Sequence, residues 1–211
     1  MRFTKVVLPA LLVTGLTGAL IAQPAMSPPG KPDPAAVTGG TYTADAGHTL
    51  VMWEVDHLGF TPYYGLFGSV SGSLQLDPKN PNAAKVDMTI PVAKVTTASA
   101  GLTGHLLKPG ADGKPADFFG PTPTDAKFVS TSVVASGQNA KITGNLTLNG
   151  VTKPVTLEAK FYGAGKSPMG GKENIGFTAT GAIKRSEFNV KYGLPFVSDE
   201  VKLKIVAAFE K

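Results

Sequence analysis

Cysteine is absent from all 211 residues. That excludes disulfides, thiol nucleophiles and thiolate metal sites. It also excludes a lipoprotein anchor, which attaches through a cysteine at the mature N-terminus. Charge is scarce: charged residues make up 17% of the chain, and the formal net charge is +5. The basic residues are scattered with no run of four or more, so no nucleic-acid partner is expected. Histidine occurs three times, as His48, His57 and His105. His48 and His57 lie on or near one strand, about 30 Å apart if the chain is fully extended, and no third ligand accompanies them. No metal site and no cofactor are expected. There is no G-x-S-x-G motif, and the carboxylates fall at turns or at outward strand positions such as Glu158. Gly163-Ala164-Gly165 and Gly170-Gly171 precede no helix, so they are loop glycines and not a phosphate cradle. No catalytic residue stands out, and an enzyme is not expected.

Long apolar runs are missing too, with one exception at the N-terminus. Arg2 and Lys5 precede an apolar stretch from Val6 to Ala22, interrupted by Pro9, Gly15 and Gly18. It falls short of a membrane-spanning helix and has the layout of an export signal, cleaved after Ala22 or after Ala25. Residues 1–22 are therefore expected to be a signal peptide, with the mature protein soluble and outside the cytoplasm. Residues 23–40 carry Pro24, Pro28, Pro29, Pro32 and Pro34 among Ala, Ser and Gly. That composition predicts an extended, flexible linker set apart from the fold. One folded domain is expected over 41–211.

What the chain does have is alternation. Val70, Gly72, Leu74 and Leu76 share one face of a strand, opposite Ser71, Ser73, Gln75 and Asp77. The pattern returns in Val86–Val92, Ile142–Leu148, Val155–Phe161, Ile175–Ile183 and Val201–Phe209, and less cleanly in Thr49–Asp56 and Phe128–Val134. Period two with one apolar face is the mark of a half-buried strand. Asn149-Gly150 between two such strands predicts a tight hairpin. About eight long antiparallel strands, each with one apolar face, are best hidden by closing the sheet. The prediction is an all-β, lipocalin-like, eight-stranded antiparallel β-barrel with one short helical segment near Leu102, Leu106 and Leu107. Small residues recur at inner positions: Gly72, Gly144, Ala159, Ala179, Gly181 and Ala207. They point to a hollow barrel or, alternatively, to relief of strain where strands bend.

Four segments carry a family resemblance. HTLVMWEVDH from His48 to His57 with GLF from Gly65 to Phe67, FVSTSV from Phe128, GNLTLNGVTKPV from Gly144 to Val155, and RSEF from Arg185 to Phe188 occur in order. Over Tyr42 to Glu210 the chain resembles the YceI-like proteins. Two places depart from the usual pattern: the longer loop from Lys108 to Ala116, and Asn189 where glycine is usual. The resemblance implies a lipocalin-like barrel in the bacterial periplasm that binds a polyisoprenoid or other long-chain amphiphile.

Combined with the apolar stripe, the resemblance implies a periplasmic lipid carrier, with a long-chain isoprenoid or fatty lipid as its expected partner. Trp53, Val55, Phe67, Phe128, Leu146, Phe161, Phe177 and Phe209 are the expected lining. His57, Lys153 and Arg185 are expected at the mouth, near a polar head group. Gly144→Phe is expected to block the cavity. Transient membrane-surface contact and a homodimer are compatible with this reading. The alternatives are a stress-related interaction protein of the cell envelope and a lipid-modifying enzyme on the same scaffold, for which His57 is the one plausible interior titrating group.

Overall fold

The structure, a computed structural model, describes residues 27–211; the expected signal peptide and residues 23–26 lie outside the described residues. Eleven strand segments and one helix follow in order: β1 (Gly40–Ala44), β2 (Leu50–His57), β3 (Thr61–Phe67), β4 (Ser71–Leu76), β5 (Lys85–Ile90), β6 (Val95–Thr97), α1 (Ala100–Leu107), β7 (Ala126–Ser136), β8 (Asn139–Leu148), β9 (Val151–Lys166), β10 (Glu173–Lys184) and β11 (Glu200–Glu210).

The eleven segments make eight strands. β11 pairs along one edge first with β1 (Ala44↔Phe209) and then with β2 (Leu50↔Val206 to Glu54↔Lys202). β4 likewise pairs with β1 while β3 pairs with β2, and β5 and β6 pair with β4 and β3. Each of these three couples is thus one long strand interrupted by a bend. β7 to β11 continue as antiparallel neighbours, and the β1–β11 pairing closes the ring. Closure gives each of the eight strands a neighbour on both sides, so the two long free edges of an open sheet are gone, and only short stretches such as the end of β9 beyond Lys160 are left uncovered. The expected eight-stranded antiparallel barrel is what forms.

Local chemistry sets the punctuation. Asn149 and Gly150 both take positive φ, 49° and 77°, the type I′ geometry that suits the right-handed twist of the flanking strands. Ser99 caps α1 by accepting the Leu102 N–H at 3.2 Å. The helix is tied to β6 by the Thr97 N–H, which donates to Thr103 Oγ1 at 3.0 Å. Phe119 in the following loop donates its N–H to Leu106 O at 3.0 Å and sets its ring edge-on to Phe67. Asn189 has φ 62°; after glycine, asparagine is the residue that best tolerates this left-handed conformation.

The connection between β10 and β11 is built around one buried charged side chain. Arg185 is 6% exposed. Its Nε donates to Ser198 O at 2.8 Å, Nη1 to Val190 O at 3.0 Å and Tyr192 O at 2.7 Å, and Nη2 to Val197 O at 2.8 Å. Burial lowers its pKa and the Asp199 charge partly offsets this; a guanidinium remains protonated throughout. The sequence reading put Arg185 at the mouth beside a ligand. Four of its five N–H donors are instead committed to main-chain carbonyls of its own loop.

The proline-rich segment departs from its expected separation. From Ser27 to Ala36 it is exposed, yet it is seated on the barrel. Lys31 exchanges two main-chain hydrogen bonds with Ala164 of β9, at 3.0 and 2.9 Å. Gln138 Nε2 donates to Pro32 O at 3.1 Å. A 3-10 turn at Pro34–Ala36 is capped by Asp33, and Val37 packs on the core. Composition alone predicted an unattached chain; hydrogen-bond groups left unpaired on β9 supply the attachment.

Arg185→Met removes the donors and leaves up to four carbonyls without partners, each costing about 1–3 kcal/mol if it stays buried. The expected result is a loss of at least about 3 kcal/mol in urea unfolding, with the barrel's far-ultraviolet circular dichroism retained below the transition.

Candidate functional site

The barrel interior is filled in one half and empty in the other. The β8–β9 turn, the β10–β11 connection and α1 close the lower end. There Leu146, Leu148, Phe67, Phe119, Ile183 and Phe188 pack together as core. The upper half, toward the β4–β5 and β7–β8 turns, holds a cavity of about 300 Å³ that opens at that end. Its walls are apolar side chains of the barrel strands, among them Val51, Leu74, Val86, Met88, Ile142, Leu157 and Ile205. Phe128, with Ile90 and Val70, also lines it. No ionisable side chain is among the lining residues.

Strand register explains the shape. Ala140, Ala159 and Ala179 are consecutive partners across β8, β9 and β10, so three neighbouring strands present only methyl groups at one height. Phe161 and Phe177 are partners at the next height, with rings edge-on at 5.9 Å, and Phe177 meets Phe209 at 6.3 Å. Edge-to-face contact at these separations fixes the rings against one another. The result is a belt of alanines below an aromatic collar, with Ile142 and Leu157 deeper still.

The small inner residues divide into two kinds. Ala159, Ala179 and Ala207 line the cavity. Gly144 does not: a Cβ there would stand 2.5 Å from Phe128 Cζ and 2.7 Å from Val129 O. Gly72 has φ 141° and would place a Cβ 2.1 Å from Asp87 O, while Gly181 is filled by Leu157. Hollowness therefore comes from the alanines, and close approach of neighbouring groups demands the glycines. Gly144→Phe would strike the Phe128 ring and the β7 backbone before reaching the cavity.

The buried polar side chain of the wall is spoken for. Thr49 is buried, and its hydroxyl donates to Ala208 O at 2.9 Å while accepting the Ala208 N–H at 3.1 Å. Gln138 and Asn139 stand at the rim, the former bonded to Pro32.

Of the residues expected from sequence, the cavity brings together Phe128, Phe161, Phe177 and Phe209. Phe67 and Leu146 belong to the packing of the lower half. Trp53 lays its ring across Gly65, with Nε1 enclosed and without a hydrogen-bond partner. Val55 is paired with Tyr63 in β3. His57 is exposed at the end of β2, its ring tilted against Tyr63 at 6.5 Å. Lys153 is exposed, opposite Leu146 in register. The remaining histidines each face a carboxylate: His48 Nδ1 is 2.7 Å from Asp45 and His105 Nε2 is 2.7 Å from Asp117. The His105 hydrogen bond, aided by Lys108, holds the Asp117 carboxyl below the usual range. Sequence reasoning missed Pro34 and Val37, which reach the cavity from outside the barrel.

Comparison with known proteins gives a consistent picture. The model of the YceI-like domain matches residues 42–209. Protein YceI of Shigella flexneri is 46% identical over 157 residues, 74% of this chain and 78% of that protein. The crystal structure of Burkholderia cenocepacia BcnA superposes with a TM-score of 0.65 at 27% identity, covering 78% of this chain and 98% of that one. A polyisoprenoid-binding domain from Saccharophagus degradans, implicated in plant cell wall breakdown, matches with a TM-score of 0.55 at 13% identity, over 80% and 97% of the two chains.

The two kinds of small residue are separable by mutation. Ala179→Val extends into empty space and should change stability by less than about 1 kcal/mol, whereas Gly144→Ala forces overpacking of about 1–3 kcal/mol. Urea denaturation of both variants measures the contrast, and equal effects would contradict the assignment.

Proposed function

Since the chain belongs to the YceI-like family, we propose that it is a periplasmic binding protein that carries a long-chain amphiphile, a polyisoprenoid or fatty lipid, with part of the hydrocarbon tail in the upper half of the barrel. The observation that carries this reading is a cavity, open at the upper end of the barrel, whose wall is hydrocarbon and whose one buried polar side chain, Thr49, is already satisfied by Ala208. Such a wall favours an apolar guest. Burying about 200 Å² of hydrocarbon there contributes about 5 kcal/mol at 25 cal/mol per Å², with no polar contact required.

The volume limits the guest. About 300 Å³ is the lower end of the ligand-pocket range, roughly 300–1,000 Å³, so a long chain enters by one end and leaves its remainder outside. The head group then lies beyond the rim, near Gln138 and Asn139, and Arg185 has no part in holding it. The ligand class attributed to the Saccharophagus domain agrees with this cavity, although at 13% identity that likeness carries the fold alone. An enzyme would need a titrating group at the guest, and the lining offers none.

Mass spectrometry of the protein purified from a bacterial periplasm, native and then solvent-extracted, tests the proposal. A polyprenyl or fatty species at near-equal stoichiometry is expected, and Ala159→Phe with Ala179→Phe should abolish it in a protein that still folds. A clean unliganded mass, with no uptake of added polyprenyl lipid, would overturn the reading.

A further inference from the structure

β9 has sixteen residues and β8 ten. Their register ends at Asn139↔Lys160, so β9 beyond Lys160 presents an edge that β8 does not cover. Lys31 occupies that edge through its two hydrogen bonds to Ala164, as an added strand one residue pair long.

The seat for this segment is made by two glycines that the fold itself does not require. Neither Gly163 nor Gly165 has a positive φ. A Cβ on Gly165 would stand 2.3 Å from Pro29 O, 3.0 Å from Pro29 C and 3.3 Å from Gly30 Cα, and nothing else comes as close. A Cβ on Gly163 would stand 3.1 Å from Lys31 O. Main chain of the N-terminal segment is therefore what these glycines accommodate. From this seat the segment passes the Gln138 hydrogen bond and its 3-10 turn, and it places Pro34 and Val37 in the cavity lining. It is exposed along Ser27–Ala36 and held by few bonds, which puts it at the low end of local stability.

We propose that Pro29–Val37 is a detachable strap that gates the cavity, with Gly163-Ala164-Gly165 as its seat. Resting on the lipid-binding reading above, it gives that reading its door: the tail enters and leaves when the strap lifts from the edge of β9. A strap seated on a rigid strand, with two of its side chains in the wall of the guest's own space, cannot stay in place while a long chain passes that side of the mouth.

Gly165→Val tests this in the full chain, because its branched side chain meets the strap and leaves the barrel contacts alone. With no native cysteine, Ala159→Cys reports cavity access through its rate of modification by N-phenylmaleimide. Adding Gly165→Val should raise that rate at least tenfold, and it should speed both uptake and release of dansyl-undecanoic acid by a similar factor. Gln138→Ala, which frees Pro32 without entering the strand, should act in the same direction to a smaller extent, and it decides the matter should Gly165→Val fail to fold. Modification rates within twofold of the parent in the folded variants would overturn the gate. The thiol readout needs no bound lipid, so a protein that takes up no dansyl probe refutes lipid binding while the modification rates still judge the strap.

Discussion

One constraint governs the molecule: every strand has a single apolar face, and that face is hidden only when the sheet wraps round on itself. The pairing that achieves this is slight. Two residue pairs join β1 to β11, and five more join β11 to β2. Once it is made, the inner residues of eight strands converge and the polar outer faces are left to water, where Lys202 pairs with Glu54 and Lys141 with Glu158. Interior packing, the position of α1 and the existence of a cavity all follow from closure.

Closure alone does not decide whether a barrel is solid or hollow. Here the decision falls to side-chain size at fixed heights. The lower half is filled by Phe188, Phe67, Phe119 and the leucines of β8. The upper half is left open by alanines on β8, β9 and β10, and the aromatic collar keeps that opening from collapsing. Arg185 performs a comparable service outside the barrel. Its fork of donors replaces the hydrogen bonds that an irregular loop cannot make to itself, so the lower end stays shut while the upper end opens to solvent.

Much of this was legible in the chain. Alternation placed Leu74, Met88, Ile142, Phe161, Phe177 and Phe209 on the inner face, and all six line the cavity. Asn149-Gly150 announced its turn. Height along the barrel was not legible, because period two assigns a face and says nothing of depth. Phe67 and Leu146 share a face with Val51, Phe128 and Ile142 yet lie among the filled residues, and Trp53 lies against Gly65 away from the cavity. Small residues were ambiguous for a related reason: only three-dimensional neighbours distinguish Gly144, pressed by Phe128, from Ala179, which faces a void. Arg185 read as a ligand group because charge in a motif suggests chemistry, and its carbonyl partners come from a loop with no pattern of its own. The strap escaped notice because proline-rich composition reports what a segment cannot form and not where it rests.

The interruption between β1 and β2 has a bearing on how the protein comes into being. Thr49, at that bend, bonds to Ala208, 159 residues further along the chain. Contacts so distant in sequence make folding slow relative to local architectures. Since chains emerge from the ribosome N-terminus first, the strand that opens the barrel is synthesised long before the strand that seals it. Until the last residues arrive, the half-made sheet exposes its oily face and an unpaired edge. A polypeptide of this topology therefore depends on being kept unfolded or shielded until synthesis ends, and a nonsense mutation that removed only β11 would yield a sheet with no means of closing.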